Sequence, residues 1–352
     1  MPQLTAKDIH QHRKDEHLSL AFKYWKEKKM SGNGLKNLRF IPTNLAEISE
    51  AEINLSVSLF DKKFEKPFYI EAITGGSKRA DKINFQLVEI AKNQKIAMAV
   101  GSQSIAIKHP ELVESFRQIR KNNPSGFLFA NLGAGYGVEE AKKVVDMIEA
   151  DALEIHINLA QELTMKDSEG DRSFYWLENI HNIASQLDCP VIIKEVGFGM
   201  SQLTFQELQK TAVAAINIGA KGGTNFAWIE RQRAHQLDLD DFGLTVAESL
   251  LEAKMSKNKK PLIATGGIST ANEIVKSQIL GASLSSSAGA ILFNLLENGL
   301  EETNKYLEKW EKDLRKIYCL LGVRTREELE KVNLLYDDKL RDFIKQREGL
   351  LN

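Results

Sequence analysis

A chain of 352 residues that is 43% hydrophobic and 27% charged has the balance of a soluble globular protein, long enough for one large domain or two ordinary ones. Its formal net charge of −1 weighs against a protein that grips nucleic acid or an anionic membrane over a broad face. Cys189 and Cys319 are isolated and lack metal spacing, so they read as reduced core residues, while the charged start and the lack of a membrane-length apolar run lead us to expect a cytosolic protein.

Residues 1–40 are polar and basic. Arg13-Lys14-Asp15-Glu16-His17 opens a helical stretch through Met30, and Ser31-Gly32-Asn33-Gly34 reads as a flexible joint. Arg13 and Lys14 fit either a solvated helix face or an arm whose cations fold over an anionic substrate.

From Phe68 the pattern becomes rhythmic. Apolar runs of strand length (Phe68–Ile73, Ile96–Val100, Phe127–Ala130, Ala152–Ile155, Val191–Ile193, Ala214–Ile218, Leu262–Ala264 and Ala282–Leu284) alternate with helical-period stretches such as Lys82–Asn93, Pro110–Lys121, Val138–Ile148 and Ala271–Leu280. Eight strand–helix units over about 220 residues predict a (β/α)₈ barrel, whose usual span is roughly 250 residues. A doubly wound sheet usually has fewer units, and no Gly-x-Gly-x-x-Gly follows the first strand. Two polar segments break the rhythm, Thr164–Ser173 and Trp228–Asp241, and both read as long loops over the barrel mouth. Beyond Asn298 a charged helical tail is expected to pack outside the barrel or against another subunit. No internal linker is visible, so 1–352 reads as one barrel domain with an arm (1–40) and a tail (299–352).

The candidate chemistry lies at the strand ends, where barrels carry it. His156-Ile157-Asn158-Leu159-Ala160-Gln161-Glu162 gathers an imidazole, two amides and a carboxylate after an apolar strand. Glu162 is the candidate Mg²⁺ ligand, since Mg²⁺ needs only one or two carboxylates when a diphosphate supplies the remaining oxygens. The alternative is a surface Glu that complements a helix dipole. Thr265-Gly266-Gly267-Ile268 and Ser285-Ser286-Ser287-Ala288-Gly289 end the seventh and eighth strands, the usual position of a barrel's phosphate site, and Thr224 adds a hydroxyl. Lys194 ends an apolar strand and should point into the mouth. Its alternative role is an ion pair with Glu195 or Glu154. A phosphate site together with an inward Lys suits flavin mononucleotide (FMN), with Asn131 and Ser102 at the polar edge of its ring.

These motifs resemble a known family. His156-x-Asn158-x-x-Gln161-Glu162, Lys194-Glu195-Val196-Gly197-Phe198-Gly199, Gly222-Gly223-Thr224-Asn225-Phe226 and Ala130-Asn131-Leu132-Gly133 are similar to those of type 2 isopentenyl-diphosphate isomerases. Arg13-Lys14, Thr74-Gly75-Gly76 and Gly101-Ser102-Gln103 match as well, and the resemblance runs from the arm to about Gly289. It implies an enzyme that interconverts isopentenyl and dimethylallyl diphosphate without net redox change, using reduced FMN, NADPH as reductant, and Mg²⁺. By residue it implies FMN on Ala72, Ile73, Thr74, Ser102, Asn131, Lys194, Thr224, Gly266, Gly267, Ile268, Ser287, Ala288 and Gly289. Substrate falls to Arg13, Lys14, His156, Asn158 and Gln161, with His156 and Gln161 also catalytic, and the metal to Glu162. It also implies a homo-oligomer, commonly a tetramer or octamer. Two departures stand out: Ile73 where many members carry Met, and Ser104 where many carry an Arg, with Lys108 and His109 as candidate replacements.

Two other classes fit parts of the pattern. An FMN oxidoreductase would carry a His or Cys acid/base on a late loop, where this chain offers His235. A non-catalytic flavin- or phosphate-binding barrel would need neither the metal residue nor the cationic arm.

Overall fold

The barrel is closed by eight parallel strands: β1 (Phe68–Ile70), β2 (Met98–Ala99), β3 (Leu128–Gly133), β4 (Ala152–Ile157), β5 (Val191–Glu195), β6 (Ala215–Asn217), β7 (Leu262–Thr265) and β8 (Ala282–Ser287). Each strand pairs with the next in sequence, and β8 returns to β1 with Ser285 opposite Phe68. The structure is a computed structural model, which describes residues 6–165, 173–234 and 237–348. All eight expected runs are strands of this barrel. His156, expected just past its strand, is still within β4.

Alternation along the strands sorts side chains into two cores. Outward residues such as Phe68, Ile70, Leu128, Leu153, Ile155, Ile193, Ile216 and Ala264 pack against the surrounding helices. Inward residues Tyr69, Ala99, Phe129, Ala152, Ile192, Ala215, Ile263 and Leu284 fill the lower barrel. A hairpin, Val57–Leu59 paired antiparallel to Lys62–Phe64, plugs the bottom with Val57, Leu59 and Phe64. One step higher the inward positions change character: Glu71, Asn131, Glu154, Lys194, Asn217 and Ser286 form a buried polar layer beneath the mouth. Period-2 alternation thus stacks plug, apolar layer and polar layer along one axis.

The helices have local reasons to start where they do. Ser77 caps Lys78–Gln94, accepting from Ala80 N at 3.1 Å, and Ile83, Leu87, Val88, Ile90 and Ala91 form its buried face. Thr245 and Glu248 form a capping box on Val246–Met255, and Thr270 caps Ala271–Ile279. The stretch Gly289–Leu321 is two helices meeting at Gly299, whose φ of +80° breaks the helical path. Its second half buries Leu307, Trp310 and Leu314 on the barrel exterior. The last helix, Asp338–Arg347, is pinned there by Arg347, which donates to both oxygens of buried Glu252 at 2.7 and 2.8 Å. The two chain ends meet where Leu38–Phe40 pairs antiparallel with Leu334–Tyr336. No helix among the described residues is long and apolar enough to cross a membrane.

Four expectations need correction. The arm's helix is Ala6–Lys26, ending before Met30. The segment 31–34 is anchored instead of being a flexible joint: Asn33 is buried, and its amide donates to Gly267 O at 3.2 Å and Glu273 Oε1 at 2.7 Å. Trp228–Asp241 begins inside the helix Phe226–Ala234, because Trp228 and Ile229 bury against Tyr24 of the arm. Cys189 and Cys319 are free, as expected, but only half-buried. His235 and residues 166–172 of the other proposed loop lie outside the described residues.

Arg120 ties the bottom of the barrel together. It donates to the carbonyls of Ile148 (3.1 Å), Gly126 (2.7 Å) and Glu149 (2.7 Å), and to Asp151 Oδ2 (2.8 Å), which also accepts from Leu128 N at 2.9 Å. Only a planar fork of donors reaches these acceptors at once. Arg120→Met should therefore cost about 2–4 kcal/mol in urea unfolding, and Arg120→Lys should recover less than half. An unchanged midpoint in Arg120→Met would refute this role.

Candidate active site

A cavity of about 490 Å³ opens at the C-terminal ends of the strands and is roofed by the arm. Its volume falls in the range of roughly 300–1,000 Å³ typical of cofactor and substrate pockets. Lys14, Ala72, Ile73, Thr74, Ser102, Asn131, His156, Asn158, Gln161, Glu162, Lys194, Thr224, Gly266, Gly267, Ser287, Ala288 and Gly289 all line it. Of the residues singled out from sequence, Ile268 is packed in the apolar core and meets the site only through its carbonyl, which accepts from Ser287 Oγ at 2.7 Å. Arg13 belongs to the arm helix, and its side chain lies outside the described residues.

The floor is the polar layer. Lys194 Nζ lies 3.4 Å from Glu71 Oε1, so its ion-pair partner is Glu71, neither of the two carboxylates expected. Glu195 points away and accepts from Phe198 N at 2.6 Å and Gly199 N at 3.0 Å. Glu71 is further held by Ala72 N (2.7 Å), Asn217 Nδ2 (2.7 Å) and Ser286 Oγ (2.7 Å). An isolated charge at this depth would be very costly, and these donors offset that cost.

One wall carries the central motif. His156 Nδ1 is 2.9 Å from Asn131 Oδ1, and Asn131 Nδ2 in turn donates to Glu154 at 3.3 Å. The amide therefore presents its oxygen to the ring, and Nδ1 carries the hydrogen. Burial, then the charges of Lys194 and Lys14, push the imidazole down to about 3, so His156 is neutral at pH 7. Asn158 caps Leu159–Thr164, accepting from Gln161 N at 3.1 Å and donating to Gln161 Oε1 at 2.7 Å. Gln161 Nε2 donates to Glu230 Oε1 at 3.0 Å. The Gln161 amide is thus fixed at both ends.

The roof is the arm helix, which sequence reading reduced to Arg13 and Lys14. Lys14, His17, Leu18, Ala21 and Trp25 follow helical spacing and all face the cavity. His17 Nε2 lies 2.8 Å from Glu230 Oε1, and Arg233 lies 2.5 Å from the other Glu230 oxygen. Burial opposes the Glu230 charge, yet His17, Gln161 and Arg233 hold its carboxyl down at about 2. Trp25 Nε1 donates to Thr224 Oγ1 at 3.0 Å. Glu71, His17, Trp25 and Glu230 were all missed. The i, i+3, i+4 spacing of the arm's cavity face, and a lone Glu71 inside an apolar run, were the available signals.

The residues present fit FMN. Gly266 and Gly267 adopt φ of +137° and +71°, and a Cβ on Gly267 would stand 2.1 Å from Gly222 O. The late loops therefore bring bare backbone against the cavity, beside the start of the helix at Gly289. Lys194 on the floor and Ser102 and Asn131 on the wall offer the charge and polar edges a flavin needs. Among the described residues no group of three or more His, Cys, Asp or Glu is placed to hold a metal ion; Glu162 is a single carboxylate on the cavity lining. Ser104 also lines the cavity, bonded to Ser102 Oγ at 3.1 Å, and so does Lys108, whereas His109 does not. Of the two candidate replacements for the absent Arg, only Lys108 lines the cavity.

Residues 131–335 match the FMN-dependent dehydrogenase family. The chain is 61% identical to the isopentenyl-diphosphate delta-isomerase of Lactococcus lactis subsp. lactis, over 98% of this chain and 99% of that one. It is 42% identical to the enzyme of the same name from Latilactobacillus sakei, over 96% and 97% of the two chains. Among solved structures, a mandelate oxidase superposes with a TM-score of 0.62 at 11% identity, over 87% of this chain and 88% of that one, a likeness of fold alone. With both the barrel and the full length matched, the chain belongs to the isopentenyl-diphosphate delta-isomerase family, built on the barrel of the FMN-dependent dehydrogenases.

Proposed function

We propose that this protein interconverts isopentenyl and dimethylallyl diphosphate by a 1,3-allylic proton shift, with FMN held in reduced form by NADPH and Mg²⁺ on the diphosphate. The observation that carries this reading is one cavity that joins two differently built walls over the Lys194 floor: the glycine loops after β7 and β8 on one, and Lys14, His156, Asn158, Gln161 and Glu162 on the other. The first suits a flavin, and the second suits a small diphosphate.

An alkene shifts by one carbon when it gains a proton at one end and loses one at the other. Bound reduced FMN would supply an electron-rich ring and a nitrogen able to exchange a proton beside the alkene. The chain's own residues would do the rest. Lys14 and Arg13 would meet the diphosphate charge, Lys108 would add a cation, and Glu162 would hold Mg²⁺ against the diphosphate oxygens. Fixing the diphosphate positions the alkene, and orientation of this kind carries much of a catalytic rate. Gln161, pinned between Asn158 and Glu230, would present its amide to the reacting carbons in one orientation. Neutral His156 would contribute a lone pair at Nε2 without adding charge. The arm would exclude water. We assign the enzyme to the cytoplasm as a homo-oligomer, tetramer or octamer.

Anaerobic incubation with isopentenyl diphosphate, FMN, NADPH and Mg²⁺ should yield dimethylallyl diphosphate by mass spectrometry. FMN binding without product would sink the isomerase reading and favour an oxidoreductase. Glu162→Gln should raise KM and the Mg²⁺ requirement by roughly 10–100-fold while FMN stays bound; normal activity in that variant without added metal would remove Glu162 from the role. Lys194→Ala should weaken FMN binding at least tenfold by fluorescence titration, and a fully yellow variant would leave Lys194 as an ion-pair residue only.

A further inference from the structure

The buried layer under the cavity holds one more ionisable carboxyl than its single cation needs. Glu71, just past β1, and Glu154 of β4 are both fully enclosed, and each carboxyl group feels the other's charge. Tyr69 OH bridges them, donating to Glu154 Oε1 at 2.9 Å and lying 3.4 Å from Glu71 Oε2. Two like charges bridged by one hydroxyl in a dry interior cannot both persist, so such a pair retains a proton.

The donors say where the charge rests. Glu71 receives the Lys194 ammonium, a backbone N–H, the Asn217 amide and the Ser286 hydroxyl. Glu154 receives only neutral donors, the Tyr69 hydroxyl and the Asn131 amide. The remaining groups facing the pair follow the same pattern. Burial opposes the Lys194 charge, but Glu71 and then Glu154 hold its pKa above the usual range. Burial and the Glu71 charge push Glu154 well above its ordinary value, and burial does the same to the Tyr69 phenol. His156, one step up β4, is neutral.

We propose that Glu71 and Glu154 are a proton-sharing carboxyl pair that holds Lys194 in place and keeps the layer beneath the cofactor electrically neutral, so that the two together set the reduction potential of bound flavin. Both are positioning residues, acting through Lys194. The proposal rests on the assignment of FMN to this cavity. Because the pair carries one negative charge between two carboxyls, removing either leaves that charge on the other. Removing both leaves the cation uncompensated, which favours the more negative, reduced flavin.

The test uses the full chain with FMN and the variants Glu71→Gln, Glu154→Gln and the double variant. Infrared spectra at pH 7 should show a protonated-carboxyl band in the wild type. It should vanish in Glu154→Gln and equally in Glu71→Gln, where Glu154 ionises to take over the charge. Glu195, pushed up to about 8 by burial, contributes a separate band that both single variants retain. The ratio of affinities for reduced and oxidised FMN should change less than threefold in each single variant. In the double variant it should rise at least tenfold, about 30 mV for a two-electron couple. A purely structural role would weaken both redox forms equally and leave the ratio unchanged. A band that survives Glu71→Gln, its absence from the wild type, or a single variant shifting the ratio as far as the double would each overturn the proposal. Should the double variant not fold, Glu71→Gln/Glu154→Leu takes its place with the same tenfold expectation, and an unchanged ratio there would overturn the proposal. Should the wild type bind no FMN, the proposed function fails while the infrared bands still report on the pair.

Discussion

A lysine ammonium enclosed near the top of a barrel is the constraint around which this molecule is arranged. Lys194 can be charged there only because the facing strands supply a carboxylate and because that carboxylate is itself saturated with donors. Those donors come from the turn after β1 and from β6 and β8, so satisfying one charge fixes the relative positions of strands that are distant in sequence. The layer is thus both a structural lock and the floor of the cavity. Below it the interior is apolar and stoppered by a hairpin, and above it lie the loops.

The arm gives the cavity its second half. One helix carries Lys14 and His17 over the motif wall and Trp25 over the late-loop wall, where it bonds Thr224. The side chains proposed for substrate and those proposed for cofactor are therefore bridged by a single rigid element. His17, Gln161 and Arg233 converge on one buried carboxylate, Glu230, which ties the arm to the helix of the central motif and to the helix after β6. The barrel supplies the chemistry's scaffold, and the arm completes the enclosure.

Much of this was legible in the sequence because strands and strand ends carry local signals. Eight apolar runs at regular spacing gave the barrel, and glycine pairs after the seventh and eighth runs marked the late loops. The His156-to-Glu162 cluster marked the opposite wall. What stayed hidden depends on pairing across the fold. Nothing in the vicinity of Lys194 names Glu71 as its partner, since the two meet only after the barrel closes. Asn33 looked like part of a flexible joint because its neighbours are Gly and Ser, yet its amide is spent on Gly267 and Glu273. Trp228 was read into a loop because charged residues surround it, but its indole is buried against the arm, and that burial extends the helix.

The proposed isomerase would use a redox cofactor for chemistry with no net redox change. Counting reducing equivalents consumed per molecule of dimethylallyl diphosphate formed, under anaerobic conditions with FMN reduced at the outset, tests it most directly. Many product molecules should form per NADPH oxidised. One NADPH consumed for each product would contradict it and make the protein an oxidoreductase on the same barrel.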